Sequence, residues 1–383
     1  MRFTGCALFL FVGCSHVALA TVPQVKVLIG RSLKDVIVHG MDLKQQIPSR
    51  QLSRTYEGKQ TVNFNCRIGQ SVRLPLKPLL VASVSSPTGL VGWENKRYRG
   101  ELQMVAGPEA AARGCDLVNL VPMETYISSL LAKEMHAEWP IEALKAQAVA
   151  ARSYAYAKIR GDVPEHAQAL PWHLESSEKD QVSGSFFDAT SHTDTAALST
   201  AGEVLVAPSG TTVAGFYHSK CGGRTLRPDQ VWSATVEGYQ AVDCPFCHKH
   251  GRGAWSKRVD KVAFSSLMRR SLDRYAGLSV SPRPDSLTFV HDLPGNGEFR
   301  VYEGNQMHVM KKTWLRNLMS REGLPSNHYA VVDEGANVRM TGEGYGHGVG
   351  LCQMGALELA KRGYGYREIL QHYFPGLLVK KIW

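Results

Sequence analysis

The stretch YISSLLAKEMHAEWPIEALKAQAVAARSYAYAK, Tyr126 to Lys158, constrains the fold more than any other part of the chain. Ile127, Leu130, Leu131 and Met135 recur at three- and four-residue spacing, which predicts a helix with one apolar stripe. Pro122 suits its start, Trp139-Pro140 ends it, and Pro140 fits the first position of a second helix. That second helix carries alanine at 143, 146, 148, 150, 151, 155 and 157, on nearly every face. Other elements can then approach its backbone closely, so it is expected to be central and buried. Gln147, Arg152 and Ser153 become polar groups that need partners inside the protein. Glu134 falls on the apolar stripe of the first helix, not on its wet face. One reading makes it half of a structural ion pair with Arg152 or Lys133. The other makes it a general acid: half-burial against Leu130, Met135 and Trp139 raises a carboxyl pKa. A carboxyl kept protonated near neutrality can protonate a glycosidic oxygen.

Around this hairpin the pattern is that of sheet. VKVLIG, DVIVHG, TVNFNCRI, LLVASV and ELQMVAG, between Val22 and Asn119, are short alternating or β-branched runs bounded by turn residues. Residues 160–180, polar with two prolines, read as a long loop. Strands return in GEVLVAP, GTTVAGFYHS and LSVSPRPDSLTFVH, while VAFSSLMRRSLDRYAG and KKTWLRNLMSRE read as helices. The expected fold is α+β, a helical hairpin packed on antiparallel sheet, divided into 1–20, a β-rich region 21–119 and a domain 120–383.

MRFTGCALFLFVGCSHVALA has Arg2 at its start, an apolar run and a small-residue end, so it reads as a secretory signal cleaved after Ala20. Val12-Gly13-Cys14 offers a lipidated start as the rival, which would make an exported protein of the periplasm or cell-wall space membrane-associated. Export implies an oxidising compartment, and there Cys66 and Cys115, both in the β-rich part, are expected to pair. The formal charge of +10 becomes +9 once Arg2 is lost. A basic exported chain suits an acidic polymer such as cell-wall glycan. No basic block interleaved with aromatics supports nucleic acid.

Two further motifs crowd side chains at bends. FYHSKCGGRT places His218, Ser219 and Cys221 before a Gly-Gly turn, and GEGYGHGVGLCQMGA places His347 among alternating glycines and Gln353 at a helix start. Glycines of this kind permit close backbone approach. His218-x2-Cys221 and Cys244-x2-Cys247 have the form of two zinc knuckles, with His248 and His250 as alternative ligands. Disulfide exchange among Cys221, Cys244, Cys247 and Cys352, or free thiols, is the competing reading. No HExxH supports a zinc peptidase.

Taken in order, YISSLLAKEM…WPIEALKAQAVAARSYA, DQVSG, FYHSKCGGRT and GYGHGVGLCQMGA resemble the stage II sporulation protein D family, also called the SpoIID/LytB domain, from about Leu120 to the C-terminus. The resemblance implies a peptidoglycan lytic transglycosylase, or a muramidase, that cuts glycan strands from which an amidase has removed the stem peptides. It carries the family's catalytic acid onto Glu134 and suggests Arg152, Ser153, His218, His347 and Gln353 as cleft residues. Arg152 would suit the lactyl carboxylate of muramic acid. It also implies a structural Zn2+, since some members bind zinc, here through His218, Cys221, Cys244 and Cys247. The matched motifs hold no second carboxylate, although Asp180 or Glu343 could serve as one. A non-catalytic module that binds denuded glycan or scaffolds an amidase is the alternative. His136 after Glu134-Met135, and cysteine at 221 and 352, depart from the usual pattern.

Overall fold

The computed structural model describes residues 21–66, 79–106, 114–162, 170–177, 180–182, 184–232, 234–251, 253–278, 287–289 and 297–383. The expected leader at 1–20, with Cys14, lies outside the described residues, as do parts of the 160–180 loop. Among the described residues no helix is long and apolar enough to cross a membrane.

Among the described residues the β-rich region supplies most of a nine-stranded sheet, β1 (Gln24–Leu33), β2 (Asp35–Ile47), β3 (Leu52–Asn65), β4 (Leu79–Ser85), β5 (Leu90–Trp93), β6 (Lys96–Arg99), β7 (Glu101–Ala106) and β8 (Cys115–Pro122), completed from further along the chain by β9 (Leu174–Glu175). The order is β6-β5-β2-β4-β7-β8-β1-β9, with β3 beside β2, and every pairing is antiparallel except β1 with β9. Period-two alternation does the sorting: Val36 and Val38 are buried while Ile37 between them faces out. Their core also takes in Leu43, Val84, Leu102, Met104 and Leu117. The expected disulfide is present, joining Cys66 to Cys115 across 49 residues with the Cα atoms 5.4 Å apart.

Strand β8 runs directly into α1 (Met123–Glu134), so the sheet fixes where the hairpin starts. The helix stops at Met135, a turn follows, and α2 (Ile141–Arg160) begins after Pro140. Tyr126, Ile127, Leu130 and Leu131 are buried as the apolar stripe requires, and the alanines of α2 are buried on almost every side. Helix α2 touches α1, α3 (Ser191–Ser199), the strand β10 (Glu203–Val206), and later helices described below. This confirms the α+β expectation and the central place of the alanine-rich helix.

Beyond β10, the strand β11 (Tyr217–His218) and the short helix α4 (Pro228–Val231) lead into a unit with its own core. That unit comprises β12 (Trp255–Asp260), α5 (Lys261–Ala276), β13 (Leu287–Phe289), β14 (Glu298–Glu303), β15 (Gln306–Lys311), α6 (Lys312–Gly323), β16 (Tyr329–Asp333) and β17 (Asn337–Gly342). Phe264, Met268, Phe299, Met310, Leu315 and Tyr329 meet inside it. The chain then returns through β18 (Leu351–Cys352), α7 (Gln353–Lys361), α8 (Tyr366–Tyr373) and β19 (Leu378–Lys381), with α7 and α8 against α2. Strand β18 lies parallel to β11, pairing His218 with Cys352, and β19 pairs with β10.

A bridge across 49 residues removes much chain entropy from the unfolded state. Replacing Cys66 and Cys115 together by alanine is expected to lower unfolding free energy by about 4 kcal/mol, read from the denaturant midpoint. An unchanged midpoint would mean that the sheet holds without the bridge.

Candidate active site

Glu134 is the last residue of α1 and stands half-buried on the wall of a cleft of about 930 Å³. His218, Ser219, His347 and Gln353 line the same cleft, so three motifs far apart in sequence converge there. The carboxylate is held from behind. The backbone N–H of Val182 donates to Glu134 Oε1 at 3.0 Å, placing the DQVSG segment against the acid. Gly184 explains how that segment comes so near: a Cβ there would sit 2.3 Å from the Ser129 carbonyl oxygen of α1. Next to Val182, Gln181 accepts from Tyr126 Oη at 2.8 Å and donates to the Ala151 carbonyl at 3.2 Å, pinning the segment to both helices. Burial, and then the Glu134 charge, pushes the Tyr126 and Tyr217 phenols well above their ordinary range. Both therefore stay protonated beside the acid.

The other carboxylates on the cleft wall are engaged. Asp180 pairs with buried Lys158 at 3.0 Å and accepts from Tyr154 Oη and the Glu175 N–H, each at 2.9 Å. Burial alone would raise it, but the Glu175 N–H and the Lys158 ammonium hold it below the usual carboxylate range. Asp162 pairs with Arg160, and Glu237 accepts from the Ser209 backbone and hydroxyl. Glu343 is not among the residues lining the cleft; its carboxylate lies 4.0 Å from His248 Nδ1.

Aromatic rings also line the cleft. The rings of Phe216 and Trp232 lie 4.7 Å apart, Trp232 and His347 5.0 Å, and His347 and His218 5.6 Å. His347 Nδ1 accepts the Val349 N–H at 3.0 Å. Gly346, at φ +109°, allows this loop to lie on His218: a Cβ there would come within 2.9 Å of the His218 Cβ. His218 is 4% exposed and its Nδ1 lies 3.0 Å from the Val349 carbonyl. A carbonyl only accepts, so Nδ1 carries the proton and Nε2 the lone pair. That Nε2, like Gln353 Nε2, is buried without a hydrogen-bond partner among the described residues.

Two of the expected cleft residues are elsewhere. Arg152 is fully buried and makes a bidentate pair with Glu124, at 2.6 and 3.1 Å, while also donating to the carbonyls of Ala197 and Glu203. Ser153 Oγ donates to the Val149 carbonyl and accepts the Leu205 N–H. Both hold α2 to its neighbours. Of the two cations considered for Glu134, Lys133 pairs with Asp188 and Arg152 with Glu124.

The metal ligand set also needs correction. Four buried thiols, Cys221, Cys244, Cys247 and Cys352, bring their sulfurs within 4.8 Å of one another, and His218 is not among them. Its Nδ1 is committed to a carbonyl, and the parallel β11–β18 pairing brings Cys352 in instead. His250 is bonded to Glu358 at 2.9 Å. Four thiolates about a Zn2+ at ~2.3 Å each would lie about 3.8 Å apart. The Cys221 and Cys247 sulfurs already stand 3.5 Å apart, so the cluster fits such an ion after a small adjustment.

Residues 111–206 match the family model described as "Stage II sporulation protein". A stage II sporulation protein D of Bacillus subtilis is 26% identical over 274 residues, covering 69% of this chain and 76% of that one. An uncharacterized protein of Brachyspira hyodysenteriae is 29% identical over 261 residues, 68% of this chain and 67% of that one. An amidase enhancer of Bacillus subtilis is 25% identical over 294 residues, 65% of this chain but 39% of its own length. The chain thus carries a SpoIID-type segment at residues 111–206 and is similar to stage II sporulation protein D over about two thirds of its length.

The cleft also draws on Tyr217, Trp232 and, within the DQVSG motif, Gln181 and Val182, while Cys352, grouped with the other three thiols by the sequence, takes the place expected for His218. Tyr217 and Cys352 stand beside residues that were singled out, His218 and Gln353; Trp232 carried no local signal at all.

Burial, the leading cause, pushes the His218 imidazole down to about 4. Unfolded, the residue titrates near 6.5. Its contribution to stability is therefore full above pH 6.5 and falls as pH drops toward 4, by about 3 kcal/mol at most. Denaturation at stepped pH should show this slope in wild type, and His218→Gln should flatten it. An equal slope in both would assign it to other groups.

Proposed function

We propose that this chain is an exported lytic transglycosylase that cleaves peptidoglycan glycan strands between N-acetylmuramic acid and N-acetylglucosamine. The observation that carries the reading is Glu134, fixed by the Val182 N–H on the wall of an open cleft whose other carboxylates are already engaged. As the acid, Glu134 gives its proton to the glycosidic oxygen. Its carboxylate then takes the proton of the muramic acid C6 hydroxyl, whose oxygen closes onto C1 as a 1,6-anhydro ring. The nucleophile is part of the substrate, so positioning replaces the second carboxylate that hydrolysis needs to hold water. The neighbouring phenols of Tyr126 and Tyr217 stay neutral and add no charge beside Glu134. Phe216 and Trp232 offer flat faces for sugar rings, and His218, His347 and Gln353 are polar residues for the substituents.

The relatives named stage II sporulation protein D and amidase enhancer support a cell-wall role. The second of these names also supports partnership with an amidase that strips stem peptides upstream. The Cys66–Cys115 disulfide supports an oxidising, extracytoplasmic site of action, and residues 120–383 are read as the catalytic domain. Cys221, Cys244, Cys247 and Cys352 are read as holders of one structural Zn2+. When bound, it would cross-link the FYHSKCGG turn, the DCPFC loop and the start of α7; glycosidic cleavage needs no metal hydroxide.

Mass spectrometry of peptide-free glycan strands after incubation should find products ending in 1,6-anhydro-muramic acid. Reducing ends in their place would make the enzyme a muramidase, and intact strands would make it a binding module. Metal analysis of protein purified without added metal should find roughly one zinc per chain. Cys244→Ser should lose it along with thermal stability, since a tetrahedral thiolate site cannot spare a ligand. Four freely reactive thiols in the unfolded wild type, with no metal released, would remove the zinc from this account.

A further inference from the structure

The segment that holds Glu134 continues past the cleft. Beyond Val182, Ser185 donates through its N–H and its hydroxyl to Asp188, at 2.6 and 2.7 Å, and Asp188 pairs with Lys133 at 2.6 Å. Lys133 immediately precedes Glu134 in α1, so the segment is tied beside the acid at both ends. Between these ties the Phe186 N–H donates to the Arg97 carbonyl at 2.7 Å. That bond docks the segment on β6, the strand at one end of the order in the nine-stranded sheet.

Two arginines and two phenylalanines meet there. Arg97 and Arg99 are exposed and two residues apart, so they share one face of β6, while Tyr98 between them is buried. The Arg99 guanidinium lies 4.5 Å from the centre of the Phe186 ring, and that of Arg97 5.5 Å from Phe187. The two rings are 5.3 Å apart, and Phe187 is 65% exposed. Stacking on a ring fixes the plane of a guanidinium but leaves its fork of N–H donors open. Among the described residues neither guanidinium has an ion-pair partner. Asp188 is held by Lys133 and Ser185, Glu101 accepts from Gln103, and Glu94 in the β5–β6 turn pairs with neither arginine. Two like charges held side by side repel each other, and an anion bound across both removes that repulsion.

We propose that Arg97, Arg99 and Phe187 form a second binding surface, outside the cleft, that grips an anionic stretch of the same glycan strand whose scissile bond lies at Glu134. The inference rests on the reading of the cleft as a glycan site. Continuity favours a strand over other anions: one segment carries both the surface and the contact to the acid, and the five residues from Val182 to Phe187 span at most about 18 Å. Charge favours it too, because the carboxylates of successive muramic acid residues match open guanidinium forks. The exposed face of Phe187 lies beside them for a sugar ring.

The test is equilibrium binding and, separately, cleavage of two probes: long peptide-free glycan strands, and tetrasaccharides cut from them. Compared per disaccharide, wild type should hold the long strands about tenfold or more tighter, as expected for added hydrogen bonds between charged groups. That gain should shrink as salt is raised. The double variant Arg97→Gln, Arg99→Gln should lose most of it while binding and cleaving tetrasaccharides as wild type does, which also shows that it is folded. Phe187→Ser should lose part of the gain. Equal affinity of wild type for the two probes would overturn the proposal, whatever the variants do. So would a double variant that weakens both probes alike, which would make the arginines a structural brace. A double variant that keeps its strand affinity but no longer sediments with vesicles of anionic phospholipid would overturn it as well, and assign the surface to a membrane. A length gain that depends on the arginines, with no cleavage of either probe, would sustain this inference while removing the transglycosylase reading.

Discussion

The burial of α2 is the constraint on which the rest depends. Its alanines let α1, α3, α7, α8 and β10 pack against one helix, and of the polar groups caught inside, Arg152 and Ser153 find partners while the Gln147 amide has none among the described residues. Arg152 makes most of these bonds, binding Glu124 at the start of α1 and the carbonyls that end α3 and begin β10. Removing one partner of such a buried pair typically costs about 3–5 kcal/mol, because the other charge is left uncompensated. The pair therefore fixes the angle of α1, and through it the position of Glu134 at the far end of that helix.

From that frame the site is assembled by three segments. The DQVSG segment reaches Glu134 through the backbone of Val182 and is locked by Gln181 to Tyr126 and Ala151. The FYHSK and GYGHG segments line the same cleft, joined by the β11–β18 pairing and by the His218 bond to Val349. Cys221 follows His218 by three residues and Cys352 immediately precedes Gln353, so the thiol cluster anchors the segments that carry these cleft side chains. Stability and site geometry are thus secured by the same local contacts.

Much of this was legible in the sequence, for physical reasons that vary by residue. The hairpin was readable because apolar spacing and Trp139-Pro140 are local signals, and Glu134 stood out because a carboxylate on an apolar stripe is anomalous. Cys66–Cys115 was readable because both residues fall in one β-rich stretch. Arg152 was misread because a buried arginine in a matched motif looks the same whether it meets substrate or Glu124, and α3 and β10 decide the matter. His218 reads as a metal ligand in the sequence because a two-residue spacing to Cys221 resembles a knuckle. The fourth sulfur, Cys352, arrives by a pairing between segments more than a hundred residues apart. Trp232 was invisible for the same reason, since only tertiary packing places it on the cleft.

The most direct test of the account is the turnover of peptide-free glycan strands by Glu134→Gln, with strand binding measured on the same protein. The amide oxygen can still accept the Val182 N–H, so the fold and cleft persist while the transferable proton is gone. Turnover should fall by about a thousandfold, within the range for a positioned acid, with affinity for the strands unchanged. Turnover retained within a few-fold of wild type would show that another group donates the proton and that Glu134 is a structural carboxylate.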